Sequence, residues 1–93
     1  MIRWLAQRLL EARRRSAKRQ VQAAAAQLDD RRRAELLEEV ERRIRFGMGV
    51  VEAFARTISA VADAHGRKGT PEALEVANAE ISFLGLQIAE RCE

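Results

Sequence analysis

Ninety-three residues, a third of them charged, 47% hydrophobic and only 4% aromatic, make one small domain with a thin core. The single cysteine, Cys92, excludes an internal disulfide and a cysteine-built metal site. No apolar run approaches the ~20 residues that cross a bilayer, and the arginines of the opening segment do not suit a secretory signal, so a cytoplasmic protein is expected.

The net charge of +3 is graded along the chain. Residues 1–20 carry seven Lys/Arg against one Glu, and residues 71–93 carry one Arg against five Glu. The two ends are therefore opposite in sign.

Residues 2–28 contain neither Gly nor Pro, and the VQAAAAQL stretch has high helix propensity. At 100° per residue, Ile2, Leu5, Ala6, Leu9, Ala12, Ser16 and Ala17 share one side. Arg3, Arg8, Arg14, Arg15, Lys18 and Arg19 take the other, together with Trp4. Residues 1–28 thus read as a basic amphipathic helix with a narrow apolar stripe. A break is expected at Asp29-Asp30, where Asp suits an N-cap; the alternative is one helix from residue 2 to residue 46.

The stretch from Leu36 to His65 organises the rest. Leu37, Val40, Ile44, Gly47, Val51, Phe54, Ile58, Val61 and His65 recur every three or four residues, the pattern of one helix face. Its outer side carries Glu38–Arg42, Glu39–Arg43, Glu41–Arg45 and Glu52–Arg56 in the favourable i,i+4 order. Gly47-Met48-Gly49 interrupts the propensity without shifting the phase. A straight helix over 30–65 would span roughly 54 Å, against a diameter near 30 Å for a compact chain of this size. Either the molecule is elongated or the helix bends at the glycines. The unbroken phase favours one continuous central helix, with Gly47 admitting a close neighbour.

His65-Gly66 suits a helix end with Gly66 in the left-handed conformation, and Thr70-Pro71-Glu72 suits the start of another. The last helix, 71–91, has two stripes: Leu74, Ala77, Ile81, Leu84 and Ile88, and Val76, Ala79, Phe83 and Leu86. One stripe is expected to pack on the central helix as an antiparallel hairpin. The other needs the first helix or a second copy, and the second copy is favoured because the first helix offers little large apolar surface.

The expected fold is therefore all-α: a helical hairpin with a basic N-terminal helix, as a three-helix bundle or a coiled-coil-like oligomer. Leu37, Val40, Ile44, Val51, Phe54, Ile58, Phe83 and Leu86 are the expected packing and self-association residues, with a dimer favoured. One His, one Cys and no Tyr leave no convergent catalytic set, so no enzyme, cofactor or metal is expected. His65 is read as a helix-terminal residue, and the Gly66–Thr70 loop as a tight turn rather than a phosphate site.

The expected function is a non-enzymatic interaction protein that self-associates and binds another macromolecule through helical faces. Arg13, Arg14, Arg15, Lys18 and Arg19 are either a solvated or self-pairing face, or contacts to nucleic acid or an acidic protein partner. Nucleic-acid binding is the runner-up function, and a membrane surface is the least favoured partner.

Overall fold

The computed structural model describes residues 2–92, and every regular element among them is an α-helix. There are four: α1 (Ile2–Ala26), α2 (Asp30–Arg45), α3 (Val50–Gly66) and α4 (Pro71–Arg91). They pack as a bundle in which α4 meets all three others.

The first boundary falls where the cap chemistry puts it. Asp29 takes extended backbone angles and its Oδ1 accepts from the Arg32 N–H at 2.8 Å. At the last boundary, Thr70 Oγ1 accepts from the Ala73 N–H at 3.1 Å, with Pro71 behind it as the first helical residue.

The central helix does not run through. It ends at Phe46 and restarts after Gly49, because Gly47 adopts φ +103°, a value that L side chains rarely reach. Gly47 N–H donates to Ile44 O at 3.0 Å and Met48 N–H to Arg43 O at 3.1 Å. This pair is the Schellman closure, which satisfies carbonyls that the helix end would otherwise orphan. Met48 turns inward against the core, the usual hydrophobic companion of that motif. The expectation of continuity, and of Gly47 as a close-approach site, is therefore corrected: a side chain at Gly47 would meet nothing within 4 Å. Gly66 is likewise not the left-handed residue, since it lies within α3 and Gly69 carries φ +64°.

α3 and α4 form the expected antiparallel hairpin. His65 near the end of α3 faces Glu80, and the Arg91 guanidinium at the end of α4 lies 5.1 Å from the Phe54 ring near the start of α3. The core joins Leu36 and Val40 of α2, Ala53, Phe54 and Val61 of α3, Phe83 and Leu84 of α4, and Ala25 of α1.

The two stripes of α4 are both used, and by the same chain. Leu84 and Ala77 are buried, Ile81 and Ile88 half-buried, and on the other stripe Ala79 and Phe83 are buried and Leu86 half-buried. Only Leu74 and Val76, in the first two turns, remain exposed. Phe83, at 7% exposure, sits with Leu86 and Gln87 beside Gln22, Ala25 and Ala26 of α1, while Arg33 stands 6.0 Å above its ring. Alanines let the α1 backbone come close, so small residues cover what bulky ones were expected to cover.

A projecting basic helix as the candidate interaction surface

α1 packs on α4, and its buried residues lie only at its C-terminal end. Ala24 and Ala25 are buried, whereas every residue from Ile2 to Ala23 is exposed. Arg33 Nη2 donates to the Ala25 carbonyl oxygen at 3.3 Å and brings a cation to the negative end of the α1 dipole. A 25-residue helix is roughly 37 Å long, so fixing one end leaves an arm. The molecule accordingly measures 52 × 32 × 23 Å, with a Cα radius of gyration of 15.7 Å against about 12 Å for a compact chain of this length.

The arm exposes Ile2, Trp4, Leu5, Leu9 and Leu10 to water. Ile2, Leu5 and Leu9 share one side with Ala6, Ala12 and Ser16. Arg3 and Arg14 border this stripe on one edge and Arg8 and Arg19 on the other; Arg13 falls within it and ends its large-residue part. Trp4 lies on the opposite side, where the Arg8 guanidinium stacks 4.7 Å from its ring.

The predicted basic residues Arg13, Arg14, Arg15, Lys18 and Arg19 are all exposed on this arm. Among the described residues only Arg15 of the five has an acidic partner, Glu11 at 3.8 Å, and both side chains of that pair are mostly solvated. The other four place their charge in solvent.

The predicted packing residues divide between core and surface. Val40, Phe54 and Phe83 are buried in one cluster, and Leu37, Ile58 and Leu86 pack against its edge. Ile44 and Val51 are not core: they are 37% and 61% exposed, because the turn at Gly47 rotates α2 and α3 out of a common phase. Val50 and Phe46, beside the same turn in sequence, are also exposed, Phe46 at 84%. Leu36, fully buried, takes the position that Leu37 was expected to lead.

The surface ion pairs also rearrange. Of the four expected, Glu39–Arg43 is present at 3.7 Å, while Arg45 reaches back to Glu38 at 3.1 Å. Such exposed pairs contribute little.

Beneath the arm, Glu80 of α4 links α2 and α3, although its residue type is one seldom found in a core. It is 1% exposed, and its carboxylate accepts from Arg32 Nη2 of α2 at 2.8 Å and Nε at 3.1 Å, and meets His65 Nε2 of α3 at 3.3 Å. Burial pushes its carboxyl up, but the hydrogen bonds from Arg32 and His65 outweigh burial and hold it below the usual carboxylate range. The Arg32 guanidinium is raised, chiefly by the same bond. A second polar link sits at Thr57, whose Oγ1 donates to Ala53 O at 2.8 Å and accepts from Arg43 Nη1 at 2.9 Å. A signal for Glu80 was present: its neighbours at i±3 and i±4 are Val76, Ala77, Phe83 and Leu84, so it lies on an apolar face with no helical cation beside it.

Cys92 is exposed, and among the described residues no group of three or more His, Cys, Asp or Glu is placed to hold a metal ion. No described helix is long and apolar enough to cross a membrane. No protein family, curated protein or solved structure matches the chain.

Proposed function

We propose that this is a non-enzymatic interaction protein, of the adaptor, assembly-factor or inhibitor kind, whose helical body holds α1 out to dock on another macromolecule. The observation that carries the reading is the exposure of the whole stretch Ile2–Ala23, six large apolar side chains included, on a helix whose only buried residues are Ala24 and Ala25. Self-association, expected on the strength of α4, loses that support because Phe83 is covered by its own chain. It rests now on the exposed apolar residues of α1 and on Ile44, Phe46 and Val51 near the α2–α3 turn.

Amide hydrogen exchange tests the reading. In dilute solution a docking arm exchanges rapidly over residues 2–17 while α3 and α4 stay protected. Protection of α1 equal to that of α4 at every concentration would overturn it. Protection that grows with protein concentration would identify a second copy as the partner.

Nucleic-acid binding is the second reading, supported by the five exposed cations Arg13, Arg14, Arg15, Lys18 and Arg19. Phosphate contacts are strongest at low salt, so an absence of duplex binding at about 50 mM salt rejects it.

A further inference from the structure

Three features of α1 narrow the chemistry of what it docks on. The first is the joint display of large apolar residues and cations on one solvated helix: Ile2, Leu5 and Leu9 run along one side, with Arg3, Arg8, Arg14 and Arg19 flanking it. Nucleic acid would satisfy the cations and leave Leu5 and Leu9 in water. The complement must offer both negative charge and an apolar layer behind it.

The second feature disfavours another copy of α1. In a paired helix the seam would be Ile2, Leu5, Leu9, Ala12 and Ser16, and the positions beside it are Arg8, Arg13 and Arg15. Two such seams would bring arginine against arginine in either orientation.

The third is the composition of the helix: low overall hydrophobicity, a polar side rich in arginine, and leucines at its other side. That is how a helix lying in the plane of a membrane interface is built. The long arginine stems let the guanidinium groups rise to the phosphates while the leucines sit deeper.

We infer that α1 binds an anionic lipid surface, lying along the headgroup layer with Ile2, Leu5 and Leu9 toward the acyl chains and its arginines on the lipid phosphates. This rests on α1 being a docking arm. Trp4, on the opposite side beneath Arg8, stays at the water side of the layer, so flotation is the suitable readout rather than tryptophan emission.

The test uses the full chain with vesicles of phosphatidylcholine containing about 30% phosphatidylglycerol, against pure phosphatidylcholine, at about 0.1 M salt. The chain is expected to float with the anionic vesicles and not with the neutral ones. Leu5→Gln/Leu9→Gln keeps every charge and is expected to weaken flotation roughly tenfold or more, since apolar burial and lipid charge act together. Leu74→Gln, an exposed leucine on α4, is expected to leave it unchanged.

No flotation with anionic vesicles overturns the lipid assignment, as does a double variant that floats as well as the unaltered chain. Duplex binding or a concentration-dependent dimer in place of flotation also overturns it, and names the other partner. The docking-arm reading fails separately: Leu5→Gln/Leu9→Gln would then lower the melting temperature by several degrees, which shows that α1 belongs to the folded core.

Discussion

The first helix and the other three solve opposite problems with similar residues. In α2–α4, apolar side chains converge from three directions on Phe54, Leu36 and Leu84, each with no exposed surface. In α1, residues of the same kind, Ile2, Leu5 and Leu9, converge on nothing. Amphipathicity alone therefore does not say whether a face is core or contact. What decides is whether the rest of the chain can reach it, and in α1 only Ala24 and Ala25 are buried.

Substitutions on the two sides of that divide should differ in size, and the largest should fall in the body. Phe54→Ala empties a fully buried site and is expected to cost about 3–5 kcal/mol. That is most of the stability of a domain this small, so a urea titration would show a chain largely unfolded at low denaturant.

Glu80→Gln is expected to cost about 2–3 kcal/mol by leaving Arg32 and His65 without their carboxylate. It also carries a pH signature. Because the folded carboxyl sits below its ordinary range, its contribution is complete above that range and disappears as pH falls through the folded value. Denaturation midpoints measured from pH 7 to pH 3 should fall steeply for the unaltered chain and less steeply for Glu80→Gln.

Gly47→Ala forces a side chain into the left-handed turn and is expected to cost about 1–2 kcal/mol, although the space beside it is open. Thermal melting measures it. A gain in stability would mean that α2 and α3 fuse into one helix when the glycine is removed.

The smallest effect should come from the arm. Leu5→Gln/Leu9→Gln is expected to shift stability by less than about 0.5 kcal/mol, the range of ordinary surface changes. A body-sized loss from these two residues would erase the distinction between the regions.

Much of this was legible from residue order. The caps at Asp29 and Thr70, the α3–α4 hairpin and the burial of Phe54 and Val40 follow from local chemistry and helical period. The break at Gly47 did not follow, because periodicity records which residues are apolar and not the φ of the residue between them. Ile44 and Val51 were misplaced for that reason. Covering of Phe83 by α1 was missed because large apolar area was sought, and alanines cover by proximity instead. For the candidate site, the amphipathic and basic character of α1 was plain, but its projection depends on where α4 stops. Glu80 required seeing that an acid among apolar neighbours must find its cations elsewhere in the chain.

The carboxylate of Glu80 has a consequence for how the body comes apart. Arg32, His65 and Glu80 belong to three different helices, 48 residues separate the first from the last, and no two of these helices satisfy all three groups. Peeling α2 away takes the Arg32 guanidinium from a buried carboxylate, and peeling α4 away takes the carboxylate from both Arg32 and His65, so partial opening is penalised and the three helices should be lost together. The first helix contributes none of these three groups, so its exposed N-terminal part can fray or bend onto a surface without disturbing that all-or-none unit.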